Sequence, residues 1–275
     1  MRISANQALG LAHFTVLEVP PLDLLKLAAS TGYASVGLRL HPAFPGAPYY
    51  EIAPGSEQMR EMRRRIEGDG VGVYDIEFVA IDADFEPARL APILESAGRL
   101  GARRLSVCGD DPDRARLIAN FAALCDLAAG FGMGVDLECM AWRRVASLAD
   151  AVRVVAAAGR PNGGALVDAL HLSRTGGTPA DVLAVPPGLI VSAQLCDAPA
   201  GQPGDMGAVI QEARSGRLPP GQGELPLRAL LAQLPDETVL SVEVPMGGDR
   251  PAEERARLIL AATRRLFEDD RQTGQ

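Results

Sequence analysis

Short apolar runs alternate with longer runs of helical periodicity along the whole chain. The short runs have the length and composition of buried strands, and glycine or proline commonly separates them from segments that are typical of helices. The predicted strands span residues 2–6, 35–40, 71–80, 104–108, 134–140, 164–169, 189–196 and 239–244. The predicted helices span residues 21–30, 56–67, 87–100, 112–131, 147–158, 179–184, 225–233 and 252–267. This alternation predicts a parallel sheet covered by helices.

Eight strand–helix units in 275 residues favour one closed barrel. An open doubly wound sheet is the alternative, but no glycine-rich phosphate-binding motif follows the first predicted strand. We therefore predict a single α/β domain, a (β/α)8 TIM barrel over residues 1–275, with a frayed tail at 268–275. The two longest irregular segments, residues 40–55 and 197–224, both follow strands on the side of a barrel where active sites lie. They are candidate walls or lids of a site.

The last four predicted strands share a polar pattern near their C-terminal ends. Side chains along a barrel strand alternate between the lumen and the surrounding helices. Apolar residues occupy the outward positions, so each of these strands ends with an inward oxygen-bearing side chain: Glu138, Asp168, Gln194 and Glu243. Because neighbouring strands lie about 4.8 Å apart, we expect these four side chains to converge on one volume.

Three carboxylates in one small volume repel each other and resist ionisation. A divalent cation removes that repulsion, and an all-oxygen ligand set suits Mg²⁺, Mn²⁺ or Co²⁺. The pattern therefore predicts one divalent metal ion held by Glu138, Asp168, Gln194 and Glu243. The alternative interpretation is a set of separate polar residues that hydrogen-bond to loops at the strand ends.

Four segments around these residues resemble the xylose-isomerase-like barrel superfamily, which includes ketose 3-epimerases, hydroxypyruvate isomerase, inosose dehydratase and 3-dehydroshikimate dehydratase. The segments are LE at 137–138, VDALH at 167–171, QLCDAP at 194–199 and SVEVP at 241–245. The resemblance implies one metal bound by Glu, Asp, His or Gln, and Glu from such strands. Gln194 stands where ketose epimerases usually have histidine, whereas hydroxypyruvate isomerase and dehydroshikimate dehydratase resemble this chain in having glutamine there.

The resemblance also implies residues that bind substrate. His171 follows Asp168 by three residues, and the histidine of this pattern usually points at substrate in the superfamily. Arg217 precedes a Pro-Gly-x-Gly turn at residues 220–223, as does an arginine that binds substrate oxygens in dehydroshikimate dehydratases. Asp197, which lies in the strand-seven segment, is a further candidate.

Arg39 is a candidate from strand parity alone, because the pattern of its strand places it in the lumen. A buried arginine needs an anionic partner, and Glu77 on the third predicted strand is one candidate. A structural ion pair and a substrate clamp are equally compatible with this pattern.

The resemblance implies a metal-dependent isomerase or epimerase of a small polyhydroxy carbonyl compound: a sugar, a keto sugar or a keto acid. Glu138 and Glu243 would then be catalytic, transferring a proton through a metal-bound enediolate. The alternative enzyme is a dehydratase of the 3-dehydroshikimate or inosose type, in which the same enolate expels a β-hydroxyl. Gln194 and the segment 217–225 favour this lyase more than they favour ketose epimerisation.

The charge balance argues against a nucleic-acid partner. Endonuclease IV shares the superfamily, but it needs a histidine-rich zinc site and a basic face, whereas this chain has three histidines and a net charge of −8. No apolar stretch reaches the roughly 18 residues that span a membrane, and no secretory segment is evident at the N-terminus. We therefore predict a cytoplasmic protein, and the resemblance implies a homodimer or homotetramer. A metal-free binding protein on a barrel scaffold is the alternative to an enzyme.

Overall fold

The barrel closes in chain order. The structure is a computed structural model that describes residues 7–269. Eight parallel strands follow one another around a closed barrel, and β8 pairs with β1. The strands are β1 Gly10–Leu11, β2 Ser35–Arg39, β3 Gly72–Ile81, β4 Arg104–Gly109, β5 Gly134–Glu138, β6 Gly163–Asp168, β7 Ile190–Leu195 and β8 Val239–Val242. The predicted (β/α)8 architecture is confirmed.

Helices follow the strands along the chain. They are α1 Pro21–Thr31, α2 Glu57–Asp69, α3 Ala91–Arg99, α4 Arg114–Ala129, α5 Leu148–Ala158, α6 Ala169–Arg174, α7 Pro179–Leu183, α8 Met206–Ser215, α9 Leu227–Gln233 and α10 Ala252–Asp269. Helix α2 begins where the sequence predicts because the Ser56 side chain accepts a hydrogen bond from the backbone N–H of Met59. Across residues 7–269, every helix is too short or too polar to cross a membrane.

Three predicted elements differ from the structure. The first predicted strand, residues 2–6, lies outside the described residues, and the first strand of the barrel is Gly10–Leu11. Helix α8 lies inside the segment 197–224 that was predicted to be irregular, and the Asp205 side chain caps it by accepting from the N–H of Ala208. Helix α10 continues to Asp269, past its predicted end. The remainder of the predicted tail, from residue 270, lies outside the described residues.

A hydrogen bond across the lumen shows which strand positions point inward. Ser192 of β7 donates to Asp136 of β5 at 2.8 Å. Because β6 separates these strands in the sheet, the bond must pass through the barrel interior. The alternate positions Val135 and Leu137 of β5 are buried in the apolar core. The predicted parity of this strand is therefore confirmed, and it points Glu138 into the lumen at the strand end.

Asp75 on β3 is a buried carboxyl in the same lumen, where it accepts a hydrogen bond from Ser106 at 3.1 Å. Burial raises its pKa well above the usual range, and the charge of Glu77 raises it further. A carboxyl with a raised folded-state pKa contributes stability below its unfolded pKa of about 4, and that contribution is lost as the pH rises through the folded pKa.

We therefore expect Asp75→Asn to increase the free energy of unfolding by about 1–3 kcal/mol at neutral pH, the typical cost of burying an imperfectly paired polar group. The gain should shrink as the pH falls towards about 4. Urea denaturation at acidic, neutral and alkaline pH measures it, with the exposed Asp84→Asn as control. If the free energies of unfolding of Asp75→Asn and the parent protein differ by the same amount at all three pH values, this account is wrong.

Candidate active site

The four predicted ligands meet at the C-terminal mouth of the barrel. Glu138 and Asp168 end β5 and β6, Gln194 on β7 is in register with Asp168, and Glu243 directly follows β8. All four are buried, and Gln194 Nε2 donates to Glu243 Oε1 at 3.3 Å. The structure thus brings together the residues that strand parity selected, while their role as metal ligands stays a prediction.

Several buried ligand-type atoms of this cluster are unpaired. Glu138 Oε1, Gln194 Oε1 and His171 Nδ1 have no hydrogen-bond partner among the described residues. Such atoms are uncommon because an unsatisfied buried polar group costs about 1–3 kcal/mol. Glu138, Asp168 and His171 each offer a ligand atom within 4.8 Å of the others. Carboxylates, an amide oxygen and an imidazole together fit a divalent cation, and His171 joins the predicted residues as a further possible ligand.

Arg217 lies at the centre of the cluster. Its Nη1 donates to Asp168 Oδ2 at 2.6 Å, and its Nη2 is 3.0 Å from Glu243 Oε2. Two backbone carbonyls also hold the guanidinium, because Nε donates to Ala213 O at 3.0 Å and Nη1 to Glu243 O at 3.1 Å. Arg217 is therefore an internal counter-ion of the carboxylates, a role that its position in the sequence does not indicate.

Burial and neighbouring charges set the pKa values of the two glutamates. Burial raises the pKa of Glu138 well above its usual range, and the charges of Asp168 and Glu243 raise it further. Burial raises the pKa of Glu243 to about 7, although Arg217 opposes this shift. Among the protein's own groups, both glutamates therefore hold protons more tightly than an exposed glutamate does.

Asp168 and His171 are shifted in the opposite direction. Burial acts to raise the pKa of Asp168, but Arg217, His171 and the backbone N–H of His171 together bring it below its usual range. Burial lowers the pKa of His171 to about 4, so its imidazole is neutral at physiological pH. Asp168 is thus an anion and His171 a neutral donor or acceptor, the forms that a metal or a substrate oxygen requires.

The cluster opens into a cavity of about 210 Å³, a size that suits a small molecule. Its large apolar walls come from Phe14, Leu17, Phe44, Phe78, Met140 and Trp142. Both irregular segments that were predicted as walls contribute to it, and they meet where the guanidinium of Arg214 lies 5.0 Å from the ring centre of Phe44. Most of the aromatic walls could not be predicted, because single aromatic residues are common in cores.

Two other residues that were predicted to bind substrate, His171 and Arg39, line this cavity. His171 lies in helix α6, a short helix for which the sequence analysis gives no prediction, and its ring meets Trp142 edge-on at 5.2 Å. Arg39 lines the cavity, and its predicted pairing with Glu77 is confirmed at 3.4 Å.

Asp197 does not line this cavity. Its carboxylate accepts hydrogen bonds from the backbone N–H groups of Ala198, Gly221 and Leu225, each at 2.9 Å. These bonds occupy the oxygens that a substrate would need. Asp197 was predicted to contact substrate. Its contacts show instead that it positions the Pro-Gly turn after Arg217.

The family described as xylose isomerase-like TIM barrel matches residues 25–266, so the chain belongs to this family. No curated protein matches the chain at a significant level. The predicted superfamily resemblance is confirmed.

Solved structures share the fold. A xylose isomerase-like TIM barrel/4-hydroxyphenylpyruvate dioxygenase fusion protein is 22% identical, with a TM-score of 0.77. The match covers 97% of this chain but only 44% of that protein. The IolI protein with a bound zinc atom is 18% identical with a TM-score of 0.79, covering 96% of this chain and 99% of that one. The 3-keto-D-glucoside 4-epimerase of E. coli, in its apo form, is 17% identical with a TM-score of 0.71, covering 94% of this chain and 99% of that one.

Proposed function

We propose that this protein is a divalent-metal-dependent isomerase or epimerase of a small polyhydroxy carbonyl compound. The observation that carries the proposal is the pair of buried glutamates, Glu138 and Glu243, that flank β6 and β7 at the mouth of one cavity. The names of two structural neighbours support it, since one is an epimerase of a keto sugar and another contains zinc. Membership of the xylose isomerase-like family is consistent with both.

The proposed ligands are Glu138, Asp168, Gln194 and Glu243, with His171 near enough to join them or to contact substrate. The unpaired oxygens of Glu138 and Gln194 support this assignment because a cation would satisfy both. A divalent ion held by these residues would polarise a substrate carbonyl oxygen and stabilise negative charge there. Mn²⁺, Mg²⁺ and Co²⁺ all suit the donor set.

The chain's own glutamates move the proton. In an epimerase, one glutamate would remove the proton from the carbon beside the carbonyl, and the other would deliver a proton to the opposite face of that carbon. In an isomerase, the proton would be returned to the former carbonyl carbon instead. Glu138 and Glu243 both line the cavity, and each is buried at the end of a strand, so a substrate carbon in the cavity lies within reach of both carboxyl groups. Arg217 holds the Glu243 carboxylate in place through its contact at 3.0 Å, and the apolar walls keep bulk water from the reacting carbon.

The test is proton exchange in D2O. With Mn²⁺ added, the purified protein is expected to exchange a carbon-bound proton of at least one compound from a panel of ketoses, 3-keto sugars and hydroxypyruvate. Proton NMR follows the loss of that signal, and protein stripped of metal by a chelator is the matched control. Stable proton signals across the whole panel would refute the proposed reaction.

A dehydratase is the second candidate, and Gln194 together with Arg217 favours it. Gln194 is buried beside Glu243, and Arg217 lines the cavity. The resemblance to 3-dehydroshikimate dehydratases implies a glutamine at the first position and an arginine near substrate at the second. Proton removal beside the carbonyl would then be followed by loss of the β-hydroxyl as water. A new ultraviolet absorption on mixing the Mn²⁺-loaded protein with 3-dehydroshikimate would decide for this reaction.

A further inference from the structure

Glu243 lies just beyond the paired part of its strand. The register of β8 with its two neighbours, β1 and β7, ends at Val242, one residue before Glu243. Glu138, in contrast, still pairs with residues of both β4 and β6. The sheet register therefore fixes the direction of the Glu138 side chain, whereas that of Glu243 also depends on contacts from outside the sheet.

One hydroxyl bridges the two peptide groups that flank Glu243. Thr15 Oγ1 donates to the carbonyl oxygen of Val242 at 3.3 Å and accepts from the N–H of Val244 at 3.0 Å. The carbonyl belongs to the peptide plane before Glu243, and the N–H belongs to the plane after it. Because the rotation of these two planes about the Cα of Glu243 sets the direction of its side chain, the bridge fixes that direction.

The other polar atoms of these two peptide groups are also paired. Glu243 N–H donates to Leu195 O at 3.1 Å, and Glu243 O accepts from Arg217 Nη1 at 3.1 Å. Thr15 is 2% exposed and Val244 is fully buried, so bulk water does not reach the bridge. Loss of the hydroxyl would therefore take the partner from a buried N–H and allow the plane after Glu243 to rotate.

The turn that carries Thr15 is itself anchored. Residues His13–Val16 form a single 3-10 turn soon after β1. Glu77 on β3 accepts from the backbone N–H of His13 at 2.5 Å and from that of Phe14 at 3.1 Å. The imidazole of His13 accepts at 2.9 Å from the backbone N–H of the last residue of β2. Contacts with two strands thus hold the turn, and Thr15 is a fixed support for the backbone around Glu243.

We propose that Thr15 is a positioning residue for Glu243, whose hydroxyl fixes the angle at which the Glu243 carboxylate enters the metal cluster. The proposal deepens the proposed function and rests on it, because Glu243 is one of the proposed ligands. Residues that orient a metal ligand without touching the metal commonly change metal affinity by about 10–100-fold when they are replaced.

Replacement by valine tests the hydroxyl alone. Thr15→Val keeps the shape of the side chain but removes both hydrogen bonds, and it is expected to weaken Mn²⁺ binding by about 10–100-fold. Electron paramagnetic resonance of free Mn²⁺ measures the affinity. Thr15→Ser keeps the hydroxyl and should bind Mn²⁺ nearly as the parent does. Thr263→Val is the matched control, because it removes a buried hydroxyl that bonds only within helix α10, to Ile259 O at 2.8 Å.

Crystal structures of the metal-free parent and of metal-free Thr15→Val give a measurement that needs no metal. In the variant, the contact between Glu243 Oε2 and Arg217 Nη2 at 3.0 Å is expected to be lost. The contact between Arg217 Nη1 and Asp168 Oδ2 at 2.6 Å should remain, because Asp168 is held by its own strand.

The outcomes separate this proposal from the proposed function. If the parent binds no Mn²⁺, the proposed function fails, and the crystal structures still decide the role of Thr15. An unmoved Glu243 carboxylate in Thr15→Val refutes that role, and so does an equal loss of Mn²⁺ affinity in Thr263→Val. If Thr15→Val does not fold, Thr15→Ser and Thr15→Ala give the same comparison because they differ only in the hydroxyl. The serine variant should then bind Mn²⁺ about 10–100-fold more tightly than the alanine variant.

Discussion

Glu243→Gln is expected to lower turnover of the identified substrate by a factor of about 10²–10⁴, the usual contribution of a positioned general base or acid. Glutamine has nearly the same shape but cannot accept or return a proton. Because burial disfavours the charge of Glu243 and a neutral glutamine fills the same space, this replacement should leave the barrel folded. Glu237→Gln changes an exposed glutamate just before the same strand and should leave turnover unaltered.

Metal content separates the two roles of Glu243. If Glu243 is a ligand, elemental analysis of chelator-free preparations should show that Glu243→Gln and Asp168→Asn have lost most of their divalent metal. A variant of Glu243 that retains metal but no longer exchanges protons would identify it as a base without a ligand role. Stoichiometric metal in both variants would show that the ligand assignment is wrong.

Arg217→Met is expected to lower the free energy of unfolding of the metal-free protein by about 3–5 kcal/mol, the cost of leaving a buried charge without its partner. The variant would leave Asp168 and Glu243 buried without the guanidinium that contacts them at 2.6 and 3.0 Å. Mn²⁺ should restore more stability to this variant than to the parent protein, because metal and arginine neutralise the same carboxylates.

Thermal or urea unfolding with and without Mn²⁺ measures this effect. Arg214→Met is the matched control, since Arg214 lies near Arg217 in the chain but is exposed. If Mn²⁺ increases the free energy of unfolding equally in the Arg217 variant and in the parent, metal and arginine do not neutralise the same carboxylates.

Local periodicity was sufficient to predict the barrel and the convergence of its inward carboxylates. Glu138 and Asp168 could be placed because each ends a strand whose apolar residues fix its parity. The two-residue strand β1 is too short to show alternation, and glycine and proline around helix α8 obscured its periodicity. The Asp205 N-cap was the one local signal for that helix.

The pairing of Arg217 with Asp168 and Glu243 could not be predicted, because it depends on contacts between parts of the chain that are distant in sequence. Its guanidinium reaches the cluster because the turn after it is fixed by Asp197 and because helix α8 packs beside α6. Asp197, in contrast, was predicted to belong to the site, although its carboxylate does not face the cavity. It lies in a segment that resembles the family, but its carboxylate is turned to backbone N–H groups, a distinction that residue type alone does not reveal.

The contact between Arg214 and Phe44 has a consequence for how molecules enter and leave. Arg174 fixes helix α8 to α6 through paired contacts with Glu212 at 2.7 and 2.8 Å, so the Arg214 side of the entrance is anchored. Phe44 is 47% exposed on the opposite segment. Any displacement at the entrance during substrate exchange is therefore expected on the Phe44 side.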